Sequence, residues 1–205
     1  MPLYAPVLLP LRWLIEWARS ATEGAPVAAD TQASTGIPIP QQVEDLAATL
    51  GNATAAFNYV HDNIRTDLYH GARRGPLGTM FERRGNDVDQ ATLLVALLRA
   101  LGIPARLETG PMEVDAAQLL SWAGMTERPD DSTATRNQIR TIAGNVIGSA
   151  GYEGSVFVRF SDGEVVGAKF DQTWVAAYVP LSNYRGHGDP AGPSKMGWIR
   201  MSPHL

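Results

Sequence analysis

Apolar positions follow two rhythms along the chain, and the change between them divides it. Over the first two thirds they recur every three or four residues, the period of a helix with one face on a core. Residues 7–20 fit such a helix, with Leu11, Leu14, Ile15 and Ala18 on one side and Leu9, Trp13 and Trp17 spaced by four. "EGAPVAADTQASTGIPIP" is rich in Ala, Gly, Pro and Thr and suits an extended linker. A compact domain is therefore expected from residue 37 to 205, preceded by a Trp-bearing helix and linker over residues 1–36.

Within that domain, "PQQVEDLAATLGN" predicts a helix closed by Gly51. "TAAFNYVHDNIRTDLY" predicts a second, with Phe57, Val60, Ile64 and Leu68 at helical spacing, and "HGARRGPLGTM" reads as a Gly-rich connection. From Asp87 to Leu101 apolar residues surround the helix axis almost completely, so this helix has to be central and covered. Gly102 stops it and Pro104 prevents its continuation. Residues 115–124 and about 133–147 predict two more helices. Then the rhythm shortens to two. "SVFVRF" alternates, "SDGE" supplies an Asp-Gly turn, and "VVGAKFDQTWVAAYVPL" is rich in strand formers, which together predict a hairpin. "GWIRM" reads as a last short strand. Helices first and antiparallel strands later define an α+β domain.

Composition sharpens this picture in three places. The 205 residues carry a formal charge of −4, which argues against a nucleic-acid binder acting through its overall field. There are no cysteines, so thiol catalysis, disulfides and cysteine-ligated zinc are all absent. No run of about 18 apolar residues occurs, so no transmembrane segment is expected. The N-terminal stretch lacks the positive start of a signal peptide, and Arg12 and Glu16 interrupt its apolar run. It reads as an uncleaved structural segment. Its Trp13 and Trp17 would dock on the domain itself, on a partner protein or on a membrane surface.

Three separated motifs carry a family likeness. "RGNDVDQATLLVALLRALGIPAR", "FDQTWVAAYVPLSNYRG" and "GWIRMSPHL" resemble, in order and spacing, the core motifs of transglutaminase-like domains. "NYVHDNI" and "LLSWAG" are also similar to bacterial versions associated with Rhs-repeat proteins. The likeness covers about residues 37–205. It implies a papain-like α+β architecture in which a central buried helix packs on an antiparallel sheet. In such domains a cysteine opens the helix, a histidine comes from a strand, and a carboxylate orients the histidine. A helix N-terminus lowers a thiol pKa and an adjacent imidazole completes its activation. Carried over by position, the resemblance puts Asp87 at the nucleophile, Gln172 at the imidazole and Ser202 at the carboxylate. Asn86, Asp89 and Trp174 would line the cleft beside them.

The residues then have to be weighed one by one. Asp87 followed by Gln90 is a capping-box pattern, worth about 0.5–2 kcal/mol to the helix. A carboxylate at a positive helix terminus is expected to be held as the anion and so to be a weak base. Gln172 shuttles no proton, and Ser202 has no visible imidazole to activate it. Asp87 and Asp89 with His61 or His70 form a poor metal set, because side chains two apart on a helix diverge. His187 and His204 are expected to face solvent, and Trp198 to join Trp174 in the sheet core. Arg73, Arg74, Arg83 and Arg84 make a local basic patch of the kind usual in solvated loops, with no recognised nucleic-acid module. The resulting expectation is a catalytically inactive transglutaminase-like domain without metal or cofactor. It would bind or brace a protein partner in a larger assembly, secreted or injection-like by analogy with Rhs-type relatives. The alternative is an amide, isopeptide or peptidase-type enzyme with a non-cysteine site. Compartment, partner identity and oligomeric state stay open.

Overall fold

The computed structural model describes residues 24–31, 36–149, 157–180 and 196–203, with residues 157–159 as backbone only. The expected helix over 7–20 with Trp13 and Trp17, and also His187 and His204, lie outside the described residues.

After a short 3-10 turn at Ala28–Asp30, α1 runs over Gln41–Leu50 and α2 over Ala53–Asn63. Gly51, at φ 75°, ends α1 in the left-handed conformation that costs glycine no steric strain. Asn52 opens α2 by accepting from the Ala55 N–H. The second predicted helix stops at Asn63, short of Leu68. Ile64 turns extended, and β1 (Arg65–Thr66) pairs in parallel with β2 (Arg84–Gly85). Helical spacing had grouped Ile64 and Leu68, but pairing of the intervening residues with β2 wins over local periodicity.

Between β1 and β2, the stretch read as a connection contains α3, Gly75–Glu82. Pro76 sits in its first turn, where a missing N–H costs nothing, so the Gly-Pro pair marks a helix start. The long apolar helix α4, Asp87–Ala100, follows as expected and is buried along nearly its whole length. Leu93, Leu94, Leu97 and Leu98 on it are fully enclosed. They pack with Val43 and Ala47 of α1 and Ala56 and Val60 of α2 on one side, and with strand residues on the other.

Those strands include one that the sequence pattern did not give. β3, Ala105–Asp115, contains Gly110 and Pro111, which hide its alternation. α5 (Ala116–Ala123) and α6 (Thr133–Ser149) come next. β4 (Phe157–Ser161) and β5 (Glu164–Pro180) then form the predicted hairpin, and β6 (Met196–Met201) closes the sheet. The hairpin turn holds Asp162 and Gly163 at φ 51° and 78°, as a two-residue turn with both centres left-handed requires.

β5 is the spine of the sheet. One of its edges pairs with β3 without interruption, from Ala105↔Ala177 to Asp115↔Gly167. Its other edge is shared end to end: β4 pairs as far as Lys169, and β6 starts at Val175. Alternation sends Val175 and Ala177 into the α4 core, while Ala168 and Phe170 join a second core with Leu119 and Leu120 of α5 and Ala143 and Ile147 of α6. Helices thus cover opposite faces of the sheet at its two ends. An aromatic and charged ladder occupies the rest of the face turned away from α4. There Arg106 stacks on Trp198 at 4.0 Å and Arg200 on Trp174 at 5.3 Å. Glu108 joins the two pairs by accepting from Arg106, Arg200 and the Trp174 indole. The indole of Trp198 donates to the Gly24 carbonyl at 2.9 Å, so the stretch expected to be an extended linker touches the domain at this point.

Two glycines permit this sheet. A Cβ on Gly167 would lie 2.1 Å from the Val114 carbonyl oxygen, and one on Gly110 would lie 2.8 Å from the tip of the Trp174 indole. The first obstacle is backbone and cannot yield; the second is a side chain that can swing. Gly167→Ala is therefore expected to cost at least about 2 kcal/mol, towards the upper end of the overpacking range. Gly110→Ala should cost less and alter tryptophan fluorescence. Denaturant titration followed by intrinsic fluorescence checks the order.

Candidate functional site

The start of α4 is built from four polar residues, Asn86, Asp87, Asp89 and Gln90, with four different tasks. Asn86 is the N-cap: its side-chain oxygen accepts from the Asp89 N–H at 2.9 Å. The capping box expected from Asp87 and Gln90 is therefore replaced by a cap one residue earlier. The Asn86 amide also donates to the carbonyls of Tyr69 and Gly71, both at 2.9 Å, tying loop 69–75 to the helix mouth. Gln90 looks elsewhere, donating to Thr66 Oγ1 and the Gly85 carbonyl at 3.0 Å, which fixes the β1–β2 pair on α4.

Asp89 is completely buried. Its carboxylate accepts from the Tyr69 hydroxyl, from the backbone N–H groups of Arg73 and Arg74 at 3.2 Å, and from that of Gly75 at 3.1 Å. Those amides are the exposed start of α3, so an acid from one helix caps the N-terminus of another. Arg74 completes the clamp by donating to the Tyr69 hydroxyl at 2.6 Å. Burial and the hydrogen bond to Asp89 together push the Tyr69 phenol pKa up, against opposing hydrogen bonds from Asn86 and Arg74. Asn86 and Asp89, expected as cleft residues, are thus occupied by loop 69–75.

Asp87 points the other way. Its Oδ2 accepts from the Thr173 N–H at 2.8 Å. Backbone N–H groups lie in the plane of a sheet, and β3 already occupies the opposite edge at Thr109↔Thr173. Asp87 therefore meets β5 edge-on, between the ends of β4 and β6. Desolvation raises its pKa above the ordinary carboxylate value, and repulsion from Asp89 adds to this. Hydrogen bonds from the Thr173, Val88 and Asp87 amides oppose the rise without cancelling it. The expectation of a helix terminus that favours the anion is corrected here: burial outweighs the positive helix end.

Gln172, the residue before Thr173, is 1% exposed, and neither its amide nitrogen nor its amide oxygen has a hydrogen-bond partner. Gln90 Oε1 is likewise without one. Alternation puts Gln172 on the same face as Trp174, whose indole is held by Glu108 at 3.1 Å. Ser202 follows directly on β6; the register Val175↔Met201, carried one step further, sets it across from Trp174. Asp87 thus touches the backbone between Gln172 and Trp174, and Ser202 belongs to the neighbouring strand. Of the two described histidines, His61 on α2 bonds Asp62 at 2.7 Å, and His70 is exposed in the loop between the two residues that Asn86 grips. Among the described residues no group of three metal-ligating side chains converges, and no helix is long and apolar enough to cross a membrane.

Sequence reading missed Tyr69, Glu108 and Thr173. Tyr69 and Glu108 act through strand and loop positions with no local motif, and Thr173 acts through its backbone. A tyrosine before a Gly-rich stretch and a carboxylate in a strand were the only signals.

Comparison with protein families agrees with this architecture. The model of the transglutaminase-like superfamily matches residues 39–203, and the chain belongs to that superfamily. Whole-chain comparison with curated proteins and with solved structures gives no match.

Two predictions follow from the opposite duties of the two acids. Asp89→Ala leaves a phenol and three backbone donors without their acceptor and should cost about 3 kcal/mol or more, against about 1–2 kcal/mol for Asp87→Ala, which frees one strand amide. Urea denaturation of both variants measures the difference. Asp87 also gives a pH signature. A carboxyl with a raised folded pKa binds its proton more tightly in the native state, so its contribution falls as pH rises from the ordinary carboxylate range through the folded value. Asp87→Asn keeps an oxygen for Thr173 and removes that fall. Its midpoint relative to the parent should be higher at about pH 7 than at about pH 4; an equal difference at both would rule out a buried charge at this position.

Proposed function

We propose that the chain is a catalytically inactive transglutaminase-like domain that serves as a protein-binding or structural module. On this reading Asp87, Gln172 and Ser202 stand where catalytic members of the superfamily carry a thiol, an imidazole and a carboxylate. One observation carries the proposal: Gln172, beside the strand amide that Asp87 holds, is a buried primary amide. An amide neither accepts nor relays a proton in the physiological range, so Gln172 cannot serve as the base that activates a nucleophile at the helix mouth. On the same reading the Asp87 carboxyl, whose Oδ2 accepts from the Thr173 N–H, stands at the nucleophile's position and not at the base's. The acid retained at Asp89 supports the same reading, since its bonds to loop 69–75 brace the fold and need no chemistry.

A binding role suits a domain that keeps its scaffold while its reacting groups are exchanged. By analogy with Rhs-associated relatives, the setting is a component of a secreted or injection-type assembly, with the N-terminal segment contributing contacts.

Purified protein incubated with amine donors and glutamine-containing acceptors should show no mass change; a product that Asp87→Ala abolishes would overturn the inactive reading. In the triple variant Asp87→Cys, Gln172→His, Ser202→Asp, a thiol probe should react at least about tenfold faster than in Asp87→Cys alone. Equal rates would show that the three positions do not cooperate.

A further inference from the structure

An acidic chain concentrates arginine in one place. β1 and β2 set Arg65 directly beside Arg84, both exposed on neighbouring parallel strands. Arg83 precedes Arg84, and its carbonyl accepts from the Arg65 N–H at 2.9 Å, which locks the three together. Asp67 then bridges Arg84, at 3.5 Å, to Arg74, at 3.0 Å. Arg74 and Arg73 both lie over the Tyr69 ring, 4.9 and 5.2 Å from its centre. The described acids in contact with this cluster are Asp67, Glu82 and Asp89: Glu82 is held by Arg74 Nε at 2.7 Å, and the buried Asp89 accepts from the Arg73 and Arg74 amides. Asp62, on the neighbouring end of α2, is engaged by His61. Among the described residues, the side chains of Arg65, Arg73 and Arg83 form no ion pair.

Three features set this patch apart from an ordinary solvated face. Like charges placed directly across neighbouring strands repel, so Arg65 beside Arg84 is a local cost that an external anion would remove. Arg83 sits at φ 52° at the end of α3, where glycine is free of strain and a side chain is not. Two residues before it, Phe81 is 65% exposed. Exposed aromatic and arginine side chains are the residue types enriched at interface hot spots.

We infer that the Arg65, Arg73, Arg83 and Arg84 surface, with Phe81 at its margin, is a docking site for a short acidic segment of a protein partner. Guanidinium groups pair carboxylates bidentately, and the patch offers several within one loop-and-strand unit. A nucleic acid fits less well. Asp67 and Glu82 interrupt any continuous phosphate track, and the −4 charge of the chain repels a long polyanion. The surface supplies a contact for the binding role proposed above, but it does not require the loss of catalysis, which the mass assay tests separately.

The test uses the full chain and fluorescence anisotropy. The probes are a short labelled oligo-glutamate, an alternating Glu-Leu peptide, and an oligothymidylate of the same charge. Both peptides should bind, more weakly as salt is added, and Arg65→Gln/Arg84→Gln should weaken them at least about tenfold. Arg128→Gln/Lys169→Gln removes the same charge from residues outside this cluster and should leave affinity unchanged. Arg83→Gly should weaken binding while raising the unfolding midpoint, which a purely structural arginine would not do. Phe81→Ala should weaken the Glu-Leu peptide and spare oligo-glutamate. Absence of peptide binding to the parent, equal losses in the two double variants, or tighter binding of oligothymidylate than of either peptide would each overturn the proposal.

Discussion

A single buried carboxylate organises the region where α3, α4 and loop 69–75 meet. Asp89 sits in the first turn of α4 yet spends its acceptor capacity on another element, collecting the N–H groups that open α3 and the hydroxyl of Tyr69. The positive end of α3 and the carboxylate suit one another, because Asp89 is completely buried and has no water to turn to. Asn86 repeats the arrangement from the adjacent position, capping α4 with its oxygen and gripping the loop with its nitrogen. Loop 69–75, which local sequence leaves almost undetermined, is thereby placed by two side chains of the central helix. The same linkage holds β1 and β2 in position, with Gln90 reaching Thr66 and Gly85.

The sheet offers a complementary lesson about how the ends of α4 are used. Its long apolar body packs on the face carrying Val175 and Ala177, but its first residue meets the sheet at an edge, through Asp87 and Thr173. On the far face, Glu108 gathers two guanidinium groups and an indole. Burial alone would raise its pKa, but the bonds from Arg106, Trp174 and Arg200 together outweigh that and lower it. One carboxyl is thus driven towards its neutral form by enclosure, and another towards its ionised form by partners. The pair shows how position in one fold decides the state of chemically similar groups.

Much of this was legible in the chain, for identifiable reasons. The apolar wrap of residues 88–101 admits only a central helix, and the Asp-Gly turn between two alternating runs admits only a hairpin. Three separated motifs fixed the superfamily. What escaped was structure set by partners distant in sequence. β3 carries Gly110 because the Trp174 indole lies against it and Pro111 where its alternation would be read, so it has no strand signature of its own. α3 was masked by its glycines, and the tail of α2 was overruled by a two-residue strand pairing. At the candidate site, sequence offered Asp87, Gln172 and Ser202 as candidates. That the Asp87 carboxyl is raised by burial could not, because desolvation is a property of what surrounds a group.

The route of β5 has a consequence for how the molecule comes into being. During synthesis β3 leaves the ribosome with its whole pairing edge open, and it finds no partner until two helices, β4 and a hairpin turn have also been made. Until then the apolar flank of α4 that belongs against Val175 and Ala177 is bare to water. Contacts between segments so far apart form slowly, and nascent chains waiting for them are the ones that aggregate or recruit chaperones. The long central strand that holds the finished sheet together is therefore also the step on which its assembly waits.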